Sequence, residues 1–106
     1  MKKTATTLLL SFCFLTSTAT TLWASAPIGQ KIFKKKLRKS CGFTGAHFTK
    51  QHTKAEWKEI YGAKQFPSET KNICPQLKLE TIKPVWWKHL YDFSLEYAKD
   101  GAIPKC

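Results

Sequence analysis

Cys41 lies at the end of a predicted helix, and its position suggests chemistry. Phe33, Leu37 and Cys41 are spaced four residues apart, so a helix places all three on one apolar face. Gly42 follows directly, and glycine is the residue that most readily ends a helix in the left-handed conformation. The spacing therefore predicts a thiol that faces the protein interior, where it forms a disulfide, acts as a redox-active or sulfur-carrying thiol, or binds an ion.

Three cysteines lie beyond the N-terminal leader described below: Cys41, Cys74 and Cys106. Outside the cytosol, cysteines usually pair. Each of the pairs 41–74, 41–106 and 74–106 closes a loop of more than 30 residues, and each could add roughly 3–4 kcal/mol to stability. An odd number leaves one sulfur to be free, to join two chains or to bind something. All three pairings remain open.

Two histidines follow Cys41 and could act with it. His47 and His52 lie five residues apart, and with Cys41 they are the candidate ligands of a Cys/His metal site. Their spacing fits no zinc signature, so we predict no metal site. A packing contact or solvent exposure is the alternative role for His52. The sequence holds no paired carboxylates, no Ser/His/Asp arrangement and no Gly-rich phosphate loop. We therefore predict no enzymatic activity.

The predicted elements that hold these residues are helices. The first covers roughly 28–41, and an irregular loop over 42–52 carries both histidines. Thr53 and Glu56 then form a capping box, in which each side chain satisfies a backbone N–H at the start of a helix. This helix ends near Gly62.

Two further helices complete the predicted fold. Pro67 opens a short helix that Pro75 ends, with Cys74 in its last turn. The last helix covers about 85–99, and a single apolar stripe follows it at helical spacing. The stripe consists of Trp86, Leu90, Phe93 and Tyr97. No segment alternates apolar and polar residues as a half-buried strand would, so the predicted class is mostly α.

The first 26 residues have the pattern of a secretory signal peptide. Lys2 and Lys3 precede a short apolar run and a stretch of small residues. Cleavage is expected after Ala24 or after Ala26. The apolar run is shorter than the roughly 20 residues that a membrane-spanning helix needs. We therefore expect a periplasmic protein with one domain over 27–106.

The charge of the chain bears on its partners. Removing Lys2 and Lys3 lowers the formal net charge from +11 to +9. Export argues against nucleic acid, and an acidic exported protein or an anionic membrane surface remains as a partner. A solvated lysine surface is the plainer alternative. The cations of the first helix are the candidate partner-binding residues: Lys31, Lys34, Lys35, Lys36, Arg38 and Lys39.

The first helix resembles that of class I cytochromes c. Gly29, Phe33 and a lysine-rich turn are similar to the family's opening helix, whose glycine and aromatic pack against an aromatic of the last helix. Tyr97 resembles that partner. Thr53–Trp57 resembles the start of a middle helix in small bacterial cytochromes. The resemblance implies a small cytochrome c-like bundle of three to four helices with long connecting loops.

The chain departs from the family at the haem motif. The family's Cys-x-x-Cys-His bonds two thiols to the haem and ligates the iron through histidine. Counting from Gly29, these positions fall on Leu37, Ser40 and Cys41. The only methionine is Met1, so the usual sixth ligand is missing too. Ordinary covalent attachment is therefore not expected. A haem held without that attachment stays open as the cofactor, and its candidate contacts are Cys41, at the position of the family's ligand histidine, His47 and His52.

The chain also resembles short exported proteins of sulfur- and hydrogen-oxidising bacteria that carry a cytochrome c label. The matching stretches are 41–45, 52–57, 73–75 and 104–106. The resemblance implies a periplasmic protein of the electron-transfer class. We expect it to be degenerate in haem binding, stapled by a disulfide, and monomeric or weakly dimeric. The alternatives are a haemless partner-binding or structural module with a basic face, and a thiol-based redox or sulfur-handling protein.

Overall fold

The computed structural model describes residues 25–103, and within them the fold is all α. A first helical segment comprises α1 (Ser25–Ile32), a π-helical turn π1 (Phe33–Leu37) and α2 (Arg38–Cys41). Four helices follow: α3 (Gly45–Thr49), α4 (Lys54–Gly62), α5 (Phe66–Ile73) and α6 (Trp86–Glu96). A 3₁₀ turn, η1 (Leu79–Thr81), precedes α6. The predicted mostly α class is confirmed. No helix in this part of the chain is long and apolar enough to cross a membrane.

The π-helical turn keeps one face of the first segment aligned. Four residues overshoot an α-helical turn of 3.6 residues by about 40°, so a strict four-residue spacing drifts around a regular helix. A wider π turn compensates for that drift. Phe33 and Leu37, at the two ends of π1, are both fully buried. The cations between them remain exposed on the other side.

The prediction of an irregular loop over 42–52 was wrong in its middle. Residues Gly45–Thr49 form α3, and the Thr44 hydroxyl caps it by accepting a hydrogen bond from the His47 backbone N–H. Five residues are too few to show a helical periodicity in sequence. This helix brings the helical units of the described region to one more than the upper prediction of four, and it shortens the connecting loops.

The capping box and the later helices agree well with prediction. The Thr53 hydroxyl accepts from the Glu56 backbone N–H, and the Glu56 carboxylate accepts from the Thr53 N–H at 2.9 Å. The last helix is shorter than the predicted 85–99, since Tyr97 already forms the C-cap of α6. Cys74, expected in the last turn of the short helix, is the C-cap of α5.

A close crossing of α1 and α6 organises the fold. Gly29 lies directly against the backbone carbonyl of His89, and a Cβ at Gly29 would lie 2.7 Å from Cβ of Phe93. A side chain larger than hydrogen therefore has no space there. The Phe33 ring meets Phe93 at 6.1 Å between centroids. The resemblance pointed instead to Tyr97, which lies one turn beyond the crossing and contacts Phe93.

Aromatic rings fill the core as a continuous chain. Phe93 contacts Phe33, Phe33 contacts Phe48 at 5.4 Å, and Phe48 stacks on Trp57 at 5.6 Å. Trp57 in turn meets Phe66 at 5.5 Å. All five side chains are at most 1% exposed, and the Trp57 indole N–H donates to the Thr49 carbonyl at 2.9 Å. These rings fill the interior between the first helical segment and the helices α3, α4, α5 and α6.

Candidate functional site

The thiol of Cys41 is joined to Cys74 in a disulfide. This is one of the three pairings that the sequence left open, and it connects the end of α2 to the end of α5. Gly42, in the left-handed conformation at φ 77°, ends α2 as predicted. Cys106 lies outside the described residues. Since the Cys41 sulfur is bonded to another sulfur, it is not available in this state as a thiolate ligand for iron.

Within the described residues, His47 is not grouped with Cys41 and His52 in a metal-binding cluster. It is exposed on α3, and its ring packs against Phe43 at 4.5 Å between centroids. Its backbone N–H binds the Thr44 cap. These contacts give His47 a local role at the start of α3.

His52 has a structural position between two helices. Its Nε2 lies 2.7 Å from a carboxylate oxygen of Glu69 on α5, and its Nδ1 lies 3.4 Å from Glu56 on α4. The ring also meets the edge of Trp57 at 4.7 Å. The Thr53 backbone N–H holds the pKa of the Glu56 carboxyl below its usual value of 4.5, and His52 adds to this effect. His52 therefore links α4 to α5.

The side chains of residues 25–103 do not fit a haem held through Cys41, His47 and His52. Cys41 is in the disulfide, and the two histidines have the separate contacts described above. No group of three or more His, Cys, Asp or Glu residues in this region is placed to hold a metal ion. The interior, where a porphyrin would need a slot, is filled by the chain of five buried rings.

The predicted partner-binding cations are all exposed, and the surface they form is called here the basic face. It consists of Lys31, Lys34, Lys35, Lys36, Arg38 and Lys39, all exposed along residues 31–39. The ion pairs of the described region involve His52 and Lys88 only. No carboxylate within that region therefore neutralises a cation of the basic face. The opposite side of the same segment carries Phe33 and Leu37 in the core.

One edge of the basic face borders an apolar groove between α1 and the start of α6. This groove, called the Trp86 groove, has a volume of about 320 Å³. It is lined by Ile28, Lys31, Ile32, Lys35, Lys36, Val85, Trp86 and His89. Val85 is 69% exposed and Ile28 44% exposed. The ammonium groups of Lys36 and Lys83 lie 5.7 and 5.2 Å from the centre of the Trp86 ring.

Sequence reasoning identified the cations of this surface but not its apolar part. Ile28 and Val85 lie 57 positions apart, and only the crossing at Gly29 brings their helices together. Val85 precedes α6 as its N-cap residue, outside the apolar stripe that the periodicity identified. The available signal in the sequence was a valine beside Pro84 that falls outside the stripe. It is a weak signal, because single apolar residues on a protein surface are common.

Comparisons of the chain with protein-family models, with curated proteins and with solved structures give no match. The disulfide, the filled core and the basic face are therefore the features of the molecule that bear on its function.

Proposed function

We propose that this chain is an exported, haem-free module with a cytochrome c-like arrangement of helices, and that it binds an acidic exported protein through the basic face. The filled core and the Cys41–Cys74 disulfide support a domain that holds itself together without a cofactor. The concentration of positive charge on the basic face supports a binding function rather than a catalytic one. Of the three functions considered from sequence, the haemless partner-binding module agrees best with these observations.

One observation carries the proposal: the charge of the basic face is not balanced by nearby carboxylates. Residues 25–55 contain eight basic and no acidic residues, while residues 56–103 contain seven of each. The basic face lies entirely in the first group. Concentrated charge of one sign speeds the encounter with an oppositely charged partner and selects against others. A surface of this kind is suited to docking.

Support for the haem-free form comes from the candidate iron contacts. The nearest equivalent of the family's ligand histidine is Cys41, and its sulfur is bonded to Cys74. The other two candidates have different contacts: the His47 ring packs against Phe43, and the His52 ring lies beside the Glu69 carboxylate. An absorption spectrum of the exported, processed protein, recorded before and after incubation with haem, tests this part. A Soret band would overturn the haem-free form and support the electron-transfer class.

The docking part is tested by a charge-matched pair of variants. The test variant is Lys34→Gln/Lys35→Gln/Lys39→Gln, in the basic face. The control is Lys58→Gln/Lys64→Gln/Lys78→Gln, which removes the same charge from exposed positions outside it. Binding of a fluorescent polyglutamate peptide is measured at low and at physiological salt. If each basic-face charge contributes about 0.5 kcal/mol, the test variant should bind about tenfold more weakly, and the control much less so.

Equal weakening by both variants would contradict the proposal, because net charge rather than the basic face would then determine binding. Strong binding to phosphatidylglycerol vesicles without binding to polyglutamate would also contradict it. That result would identify an anionic membrane surface as the partner. Circular dichroism of both variants confirms that each retains its helices.

A further inference from the structure

We infer that the Trp86 groove is the specificity pocket of the basic face, and that it receives an apolar side chain flanked by carboxylates on the acidic partner. This inference rests on the proposed function and adds the chemistry of the partner's contact segment. Its basis is the placement of exposed apolar side chains inside a ring of lysines.

Exposed apolar side chains are concentrated at the Trp86 groove. The described region has three large hydrophobic side chains that are well exposed, namely Ile28, Val85 and Ile103. Two of them line the Trp86 groove, where the half-buried Trp86 also lies. Apolar surface gains about 25 cal/mol for each Å² that is removed from water, so an apolar side chain that enters this groove is stabilised there. Tryptophan is also one of the residues enriched among those that dominate binding energy at interfaces.

The Trp86 groove also carries positive charge. Lys31, Lys35 and Lys36 line the groove together with its apolar residues, no carboxylate lines it, and Lys83 lies over the Trp86 ring. A wholly apolar ligand would bury these ammonium groups without a counter-charge, which is costly. A wholly acidic ligand would leave Ile28 and Val85 in contact with water. A segment that combines one apolar side chain with carboxylates on both sides satisfies both parts of the groove.

The shape of the Trp86 groove and the positions of its lysines favour a protein segment over a lipid surface. The groove is concave and of side-chain size, at about 320 Å³. Two lysine ammonium groups lie over the Trp86 ring, so both lysines would have to swing away before the ring could enter hydrocarbon. Interfacial anchors instead present an apolar face that enters the acyl boundary. The geometry therefore favours a single inserted side chain over a membrane.

Two short glutamate-rich peptides, identical except for a central leucine or a central serine, test the inference. The wild-type protein should bind the leucine peptide about fivefold more tightly, the ratio expected if about 1 kcal/mol is gained by partly burying leucine. Val85→Ser should bring this ratio close to one and leave the affinity for the serine peptide unchanged. Ile103→Ser, at an exposed residue outside the groove lining, is the matched control and should keep the wild-type ratio.

A wild-type ratio of one would overturn the groove as a pocket, and so would a ratio that Val85→Ser leaves intact. The proposed function survives this failure if the serine peptide still binds and the basic-face variant still weakens it. If neither peptide binds, both proposals fail together. Binding to phosphatidylglycerol vesicles that Val85→Ser abolishes, without selectivity between the peptides, would replace the protein partner with a lipid surface.

Discussion

Residues 25–55 and residues 56–103 have nearly equal numbers of basic residues but differ in their carboxylates. The first region has eight basic residues and no carboxylate, and the second has seven of each. In the second region Lys88 pairs with Asp92 at 2.7 Å, and Lys71 donates to the Leu77 carbonyl at 2.5 Å. The basic face of the first region has no such ion pairs within the described residues.

The difference shows how a small domain keeps an unneutralised surface in place. A row of like charges on a helix destabilises it, and isolated helices of this length are marginal in water. Two contacts with the second region fix the first helical segment, residues 25–41. The Cys41–Cys74 disulfide holds its C-terminal end, and the crossing at Gly29 holds it near its N-terminal end. The second region therefore holds in place the helical segment that carries the basic face.

The largest predicted effect is the loss of the covalent link between the regions. Cys41→Ala/Cys74→Ala opens a loop defined by a sequence separation of 33 residues, and unfolding in urea should show a loss of about 3–4 kcal/mol. Cys106→Ala is the control, because it removes a sulfur and leaves this bond intact. A double variant as stable as the control would mean that packing alone holds the two regions together.

A smaller loss is expected when the crossing is obstructed. Gly29→Ala forces a methyl group against His89 and Phe93, and such overpacking typically costs about 1–3 kcal/mol. The matched control is Gly62→Ala, since a Cβ there would have no neighbour within 4 Å. The control should gain about 0.5 kcal/mol from better helix propensity. If the midpoint of thermal unfolding moves equally in both variants, the close approach of α1 and α6 is not what joins the regions.

The smallest effect is a difference in acid stability that belongs to the second region. The pKa of Glu56 is lowered in the folded state, so its carboxylate stabilises the fold above pH 4.5. This contribution is lost as the pH falls through the lowered pKa. Glu56→Gln keeps an acceptor for the Thr53 N–H but does not titrate. Urea unfolding of both proteins should therefore show a difference that shrinks below pH 4.5.

Glu80→Gln makes the same substitution at an exposed side chain that has no ion pair within residues 25–103. It is the control for the loss of a carboxylate, and its unfolding free energy at pH 7 should equal that of the wild type. A pH dependence of Glu56→Gln identical to that of the wild type would show that the capping-box carboxylate does not contribute to acid stability.

Local signals predicted much of the fold correctly. The capping box at Thr53 and the proline-started helix before Cys74 depend on side chains a few residues apart, so the sequence displays them directly. The helix Gly45–Thr49 was missed because a single turn has no periodicity. The aromatic partner of Phe33 was assigned to Tyr97, whereas the crossing places Phe93 there, because the contact depends on where two distant helices meet.

The sequence by itself determined the helical class, the apolar face through Phe33 and Leu37, and the cations of the basic face. These follow from spacing and composition, which act over a few residues. Only the tertiary structure decided that Cys41 pairs with Cys74, that five rings fill the interior, and that Ile28 meets Val85 beside Trp86. Each of these requires segments distant in sequence to approach, and the close contact of Gly29 with the His89 backbone contributes directly to the last of them.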